Sequence, residues 1–402
     1  WLFSRQRYWG EPFPILKDAD GKIVPVQMND LPVALPDVKS YEPTGTGESP
    51  LASQDPAIKT WREVKDPSTG KTYVRETDTM PGSAGSSWYF LRYCDPTNAN
   101  EAFSKEAEKY WMPVDLYLGG DEHAVGHLLY SRFWMKVLFD CGLVTHDEPF
   151  HKLVHQGMIL GEDGEKMSKS RGNVINPDDV VKKYGADTLR IYEMFMGPLE
   201  KDKPWSTTAI EGSHRFLNRA YRIFFNESPP GSPAGTKDSL RVADVALTPE
   251  DEKILHVTIK KVTEDIEGMR FNTAISTMMV FVNHFTSKEQ TALKAMKPFV
   301  QLLAPFAPHL GEELWEAIGE KTSLSTAPWP TFNPDLVKAD SVTVAVQVLG
   351  KLRGTLEVEP GATQAALDEQ ARKIESVAKF LEGKEIVKVV YVPNKILNYV
   401  VK

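Results

Sequence analysis

Lys166 and Lys169 stand three residues apart in Gly161-Glu162-Asp163-Gly164-Glu165-Lys166-Met167-Ser168-Lys169-Ser170-Arg171-Gly172-Asn173, among glycines and small hydroxyls. Two ammonium groups on such a polar, mobile loop suit the chemistry of phosphate, where negative charge on phosphoryl oxygens must be met. By itself, a lysine-rich loop is most often a solvated turn. Its flanks change that reading. Leu153-Val154 and Met158-Ile159-Leu160 read as a buried strand leading in, and Asn176-Pro177-Asp178-Asp179 opens a helix with Asn176 as cap and Pro177 at its first position. Strand, phosphate loop and helix in that order recur in nucleotide sites. A second constellation lies upstream. Gly119-Gly120 ends an apolar run where a ligand can approach the backbone without meeting a Cβ, and His123 and His127 follow four apart on one helical face. A lone helical histidine is more often a packed or surface residue; a pair placed just after two glycines is a better site candidate. Zinc is not the expected ligand, because the pair lacks a third ligand and the glutamate placement of His-Glu-x-x-His.

These residues need a scaffold. Val114–Gly120 reads as a strand, Glu122–Asp140 as a helix whose Ala124, Leu128, Ser131, Met135 and Leu138 share one face, and Lys152–Leu160 as a second strand. That is a βαβ unit, so its sheet is expected to be parallel. Residues 41–82, rich in Pro, Gly, Ser and Thr, read as long loops. After Trp205 the pattern turns helical, near 208–226, 249–267, 271–286, 290–304 and 309–318, with a loop over Glu227–Ala246. Thr248-Pro249-Glu250-Asp251 is a capped helix start with an acidic first turn, and the set suggests an antiparallel bundle. In the tail, Val342, Val344, Val346 and Val348 alternate as a half-buried strand, Leu349-Gly350 turns it back, a helix is expected near 363–381, and two strands near 386–392 and 396–401 finish the module. The fold class expected is an α/β nucleotide-binding parallel-sheet half-domain (Rossmann-like) over 1–204, an α-helical bundle over 205–338 and a small α+β module over 339–402.

Bulk composition excludes several classes. No apolar run approaches the roughly 18 residues of a membrane helix, and two cysteines, Cys94 and Cys141, cannot form a disulfide framework or a four-cysteine zinc site. They suggest a reducing compartment. A net charge of −8 argues against a generally basic nucleic-acid coat. Residues 341–402 are the exception, with nine Lys/Arg against seven Asp/Glu. The chain opens on Trp1-Leu2-Phe3 without a methionine, and is expected to be the later part of a longer protein whose targeting segment cannot be read here.

Four segments then occur in one order: Ser4-Arg5-Gln6-Arg7-Tyr8-Trp9-Gly10, Gly119-Gly120-Asp121-Glu122-His123, Lys166-Met167-Ser168-Lys169-Ser170, and Ala307-Pro308-His309-Leu310-Gly311-Glu312-Glu313-Leu314-Trp315. The third matches the second signature of class I aminoacyl-tRNA synthetases letter for letter, and the order resembles the members for leucine, isoleucine and valine. Asp78-Thr79-Met80, Ser86-Ser87-Trp88-Tyr89, His123–Tyr130, Gln156–Leu160 and Gly185–Arg190 look like the leucine-specific members of bacterial and organellar type. The resemblance runs over essentially the whole chain.

It implies that ATP and leucine condense to an adenylate, Mg2+ accompanying ATP, before transfer to leucine tRNA. Lys166 and Lys169 would then meet the phosphoryl charge, Lys169 above all, with Met167 and Ser168 of the same loop at the ATP. Gly119, Gly120, Glu122 and His127 would contact ribose or adenylate, Gln156 the ribose, and Ile159 would pack near adenine. Tyr89, Tyr117 and His123 would line the leucine pocket. Arg215, Arg219 and Arg222, spaced i, i+4, i+7, would meet tRNA phosphates, as would Lys351 and Arg353 of the tail. The full-length enzyme would be a monomer in the cytoplasm or an organelle, with no membrane partner.

There are departures. The class's first signature is absent, and His123-Ala124-Val125-Gly126-His127 resembles it only superficially. The first half of the nucleotide fold and the editing insertion would precede Trp1. Val64-Lys65-Asp66-Pro67-Ser68-Thr69-Gly70 stands where some relatives carry zinc cysteines, so no metal site is expected. The isolated chain is therefore expected to be a poor catalyst. The alternatives are a valine- or isoleucine-specific relative and a non-catalytic tRNA-binding remnant.

Overall fold

A computed structural model of the chain describes residues 1–226, 238–338 and 342–402. It divides into two compact units, Trp1–Val174 with Leu199–Trp205, and Ile175–Pro198 with Ser206–Lys402. Among the described residues, no helix is long and apolar enough to cross a membrane.

The first unit holds two pieces. A small antiparallel sheet is built from Ile15–Lys17, Ile23–Pro25, Glu63–Lys65 and Thr72–Arg75. Beside it runs the segment that begins at Ser4, which Asp78-Thr79-Met80 ties down. Arg5 and Thr79 exchange backbone hydrogen bonds of 2.9 and 3.0 Å, and the Gln6 amide donates to Asp78 at 2.8 Å. Gly10 is pressed so close that a Cβ there would lie 2.1 Å from the Met80 carbonyl oxygen. Two stretches some seventy residues apart in sequence are thus one structural element.

The second piece carries the parallel pair Tyr117–Gly120 and Leu153–Gln156, with Gly119 opposite His155 and Gly120 opposite Gln156. The expected βαβ unit is present, with three corrections. The first strand begins at Tyr117, since Val114 makes only an isolated bridge to Phe150. The second is broken: Leu153–Gln156 ends, and Ile159–Leu160 pairs in parallel with Lys203–Pro204 instead. Gly157 lies at the break, where a Cβ would meet the Lys201 carbonyl carbon at 2.2 Å. The helix, expected from Glu122, is regular only over Leu129–Asp140; a 3-10 turn at Asp121–His123 and a π segment at Ala124–Leu128 precede it. Gly126, at φ −98° and ψ −111°, makes the kink. Leu128, Ser131 and Met135 are buried as the periodicity requires, while Ala124, above the kink, is exposed.

In the second unit the helices are Pro177–Tyr184, Ala186–Phe195, Ile210–Arg222, Pro249–Glu267, Phe271–Thr286, Leu293–Leu303 and Pro308–Ala317. Thr248 and Asp251 form a full capping box. The apolar faces of the helices from Ala186–Phe195 onward meet in one core, in which Phe281 stacks on Phe299 at 4.6 Å. Residues 175–198 join these helices through Asp187 and Arg190. The Asp187 carboxylate accepts from the Leu310 N–H at 2.7 Å and pairs with His309 at 2.8 Å, while Arg190 donates to the Pro305 and Phe306 carbonyls. The Ala307-Pro308-His309 turn is therefore a capped helix start locked to a motif far upstream. The expected loop 227–246 lies outside the described residues as far as 237, and the expected boundary at 339 falls on 339–341, also outside them.

The tail forms a four-stranded sheet, in the order Lys351–Val358, Val342–Val348, Ile396–Val401, Ile386–Val392. Leu349-Gly350 is its turn, with positive φ at both residues. The single helix expected at 363–381 is two, Gln364–Ala371 and Glu375–Leu381, packed on the buried valines.

Candidate functional site

Parallel strands leave their carboxyl ends open to ligands, because the chain turns away there into helices. In the first unit the ends of Tyr117–Gly120 and Leu153–Gln156 open into a cleft of about 570 Å3. Its wall brings together Tyr89, Tyr117, Gly119, Gly120, Glu122, His123, His127 and Gln156, all expected from sequence, with Ser83, Ser86, Leu118 and Leu128 added.

A hydrogen-bonded chain crosses this wall. The Tyr89 and Tyr117 hydroxyls meet at 2.7 Å, and the Tyr117 hydroxyl continues to Nε2 of His127. On the other side of the ring, Nδ1 of His127 lies 3.2 Å from the Ser87 hydroxyl. Phe150 stacks on Tyr117 at 3.8 Å and fixes its plane. Burial, with His123 nearby, holds the His127 pKa below the ordinary imidazole value. Burial and the Tyr89 hydroxyl push the Tyr117 phenol up. Both groups are therefore neutral near pH 7, and the wall can exchange hydrogen bonds without adding charge. Glu122 supplies the charge here: its carboxylate lies against Gly120, where a Cβ would be 2.0 Å away. Gly119 meets nothing within 4 Å of an added Cβ, so its backbone faces open space.

Ile159, Met167, Ser168, Lys166 and Lys169 are outside the residues lining this cleft. Ile159 sits in the Ile159–Leu160 strand, half-buried against Lys203–Pro204. Lys166 and Lys169 are exposed, and among the described residues no carboxylate lies within ion-pair distance of either. In the second unit, Arg215, Arg219 and Arg222 are exposed along Ile210–Arg222, opposite the buried Phe216, Leu217 and Ala220; Arg219 donates to Asn283. Lys351 is exposed, whereas the Arg353 guanidinium lies 3.6 Å over the Phe380 ring, a packing role that leaves less of it for phosphate. Sequence reasoning passed over Ser83 and the pairing of Ser87 with His127. The small-residue run Gly82-Ser83-Ala84-Gly85-Ser86-Ser87 was the available signal.

Comparison with known proteins adds to this geometry. A family model described as tRNA synthetases class I (I, L, M and V) matches residues 1–206, and one described as the anticodon-binding domain of tRNA ligase matches residues 252–368. A leucine–tRNA ligase of Bdellovibrio bacteriovorus is 58% identical over 403 residues, covering 100% of this chain and 48% of the relative. One from Chloroherpeton thalassium is 54% identical over 402 residues with the same coverage. Among solved structures, Agrobacterium radiobacter LeuRS in a ternary complex with tRNA and LeuAMS is similar with a TM-score of 0.72 and 34% identity, covering 100% of this chain and 52% of that one. The chain spans about half the length of the curated relatives it matches.

Proposed function

The chain belongs to the class I tRNA synthetases of the isoleucine, leucine, methionine and valine group, and from that premise we propose that it serves a leucine–tRNA ligase, activating leucine with ATP and passing it to leucine tRNA. The observation that carries this reading is the cleft at the carboxyl ends of the parallel strands, with its neutral Tyr89–Tyr117–His127 chain and open Gly119 backbone.

In activation, a carboxylate oxygen of leucine bonds to the α-phosphorus of ATP as the bond to pyrophosphate breaks. In transfer, a tRNA ribose hydroxyl takes the acyl group and AMP leaves. Gly119 admits the nucleotide to backbone contact, and Gly120, Glu122 and Gln156 of the same wall are assigned to its ribose. His127, held neutral, gives no repulsion to the α-ammonium of leucine, and Tyr89 and Tyr117 offer ring faces to its branched side chain. Such a pocket separates aliphatic chains differing by one methylene by only about 1–3 kcal/mol. Lys166 and Lys169, uncommitted to any carboxylate among the described residues, are the cations for the departing pyrophosphate. Magnesium would come with the phosphates of ATP, and three His, Cys, Asp or Glu side chains do not converge anywhere among the described residues. Arg215, Arg219 and Arg222 are assigned to tRNA phosphates.

The test is leucine-dependent ATP–pyrophosphate exchange by the 402-residue chain, across a panel of leucine, isoleucine, valine and methionine, with Lys169→Ala as control. Exchange that prefers leucine and disappears in the variant supports the reading. Preference for valine or isoleucine would redirect it, and absence of exchange with retained binding of leucine tRNA would leave a tRNA-binding half.

A further inference from the structure

Three carboxylates, Glu162, Asp163 and Glu165, immediately precede Lys166, close enough in sequence to neutralise the lysines that the phosphate chemistry needs. The hydrogen bonds of the loop show where two of them go. Asp163 accepts from the Glu165 N–H at 3.1 Å and, through both carboxylate oxygens, from the Asn173 amide at 3.1 Å each. Glu165 pairs with Arg171 at 3.5 Å. The same Asn173 side chain accepts the Ser168 N–H at 2.9 Å and donates to the Lys166 carbonyl at 3.4 Å. One amide therefore joins the incoming turn, the middle of the loop and its exit. Gly161 is shaped to the junction: a Cβ there would lie 2.6 Å from the Asp163 carboxylate and 2.8 Å from the Asn173 nitrogen. Backbone bonds from the Gly161 N–H to the Glu165 carbonyl at 2.8 Å, and from the Arg171 and Gly172 N–H groups to the Ser168 carbonyl at 3.2 Å, complete a compact horseshoe. Lys166 and Lys169 both lie between its anchor points.

We propose that Asn173 is a positioning residue, a latch that holds Asp163 off the two lysines and fixes the loop so that both ammonium groups stay available to pyrophosphate. This rests on the reading of Lys166 and Lys169 given above. An amide suits the position because it accepts on one side and donates on the other. The single change Asn173→Asp would set two carboxylates against each other at the present 3.1 Å contact, and alanine would free Asp163 to fold back onto the lysines.

The experiment compares the full chain with Asn173→Ala, with Lys169→Ala and with the exchanged pair Asp163→Asn/Asn173→Asp. That pair keeps one donor facing one carboxylate and keeps an acceptor for the Ser168 N–H. Amide hydrogen exchange at Ser168 reads the latch, and calorimetric titration with inorganic pyrophosphate reads the cations. Asn173→Ala should speed exchange at Ser168 and weaken pyrophosphate, each by about tenfold, the scale of one charge-assisted hydrogen bond. The exchanged pair should recover most of both. Lys169→Ala should weaken pyrophosphate while Ser168 keeps its protection. Unchanged protection in Asn173→Ala, or losses that the exchanged pair does not recover, would overturn the proposal. If the unaltered chain binds no pyrophosphate, the cation reading itself fails, while the exchange data still decide whether Asn173 latches the loop.

Discussion

Replacing Gly119 with alanine separates binding from folding. Gly119 pairs with His155 in the parallel sheet, lines the cleft, and has nothing within 4 Å of an added Cβ. Its φ lies outside the left-handed region, so the backbone accepts alanine without strain. The folded state gains no clash, and the unfolded chain loses freedom worth about 0.4–1 kcal/mol, so thermal stability should hold or rise slightly. The methyl group, however, projects into the space assigned to the nucleotide. Forcing one such group into a fitted contact costs about 1–3 kcal/mol, which corresponds to roughly 5- to 150-fold in affinity. Titration calorimetry with ATP, paired with thermal melts followed by near-ultraviolet circular dichroism, measures both quantities on one preparation. Gly120 provides the contrast: a Cβ there meets the far end of the Glu122 side chain, which can swing aside at the expense of its own position. ATP affinity within about twofold of the unaltered chain, well under the range just worked out, would show that Gly119 does not face the nucleotide. A clear fall in melting temperature would show that the position is not open, and either result refutes the reasoning.

Three further outcomes are expected. Because burial depresses the His127 pKa, the unfolded chain binds more protons, so this stability is complete above the ordinary imidazole value near 6.5 and is lost as pH falls through the depressed folded value; melts between about pH 7.5 and 5 should show a shallower slope in His127→Gln. Asp265→Asn should destabilise the helical unit by about 2–3 kcal/mol in urea unfolding, since the buried carboxylate binds Lys261, Arg270 and the Thr273 hydroxyl at 2.5–2.9 Å; the half-exposed Lys261 and Arg270 keep the effect below that of a fully buried pair. Arg215→Gln/Arg219→Gln/Arg222→Gln should weaken leucine tRNA binding and reduce the slope of log affinity against log salt by about two to three, measured by filter binding across salt; an unchanged slope would remove these side chains from the interface.

Local rules read from residue types alone determined much of this protein. The helix Pro249–Glu267 begins at its capping box, Phe271–Thr286 follows apolar periodicity, and the tail strand Val342–Val348 follows alternation with a period of two. In the cleft wall, Gly119-Gly120 at a strand end and the histidines His123 and His127 four apart were marked by spacing, whereas Tyr89, Tyr117, Glu122 and Gln156 followed only from the family resemblance. Other features were decided only by long-range contact. The strand expected over 152–160 breaks because the 201–204 segment presses on Gly157, and the helix expected from Glu122 is irregular to Leu128, with its kink at Gly126. Ser87 becomes a partner of His127 forty residues away, and Asp187 becomes the cap of a helix that starts at Pro308. The latch at Asn173 lies between these limits, since its partners are all within ten residues, but only the folded loop sets one amide against all of them. Propensity and periodicity act over one or two turns of chain, whereas a hydrogen bond between distant residues exists only once packing has offset the entropy lost in bringing them together.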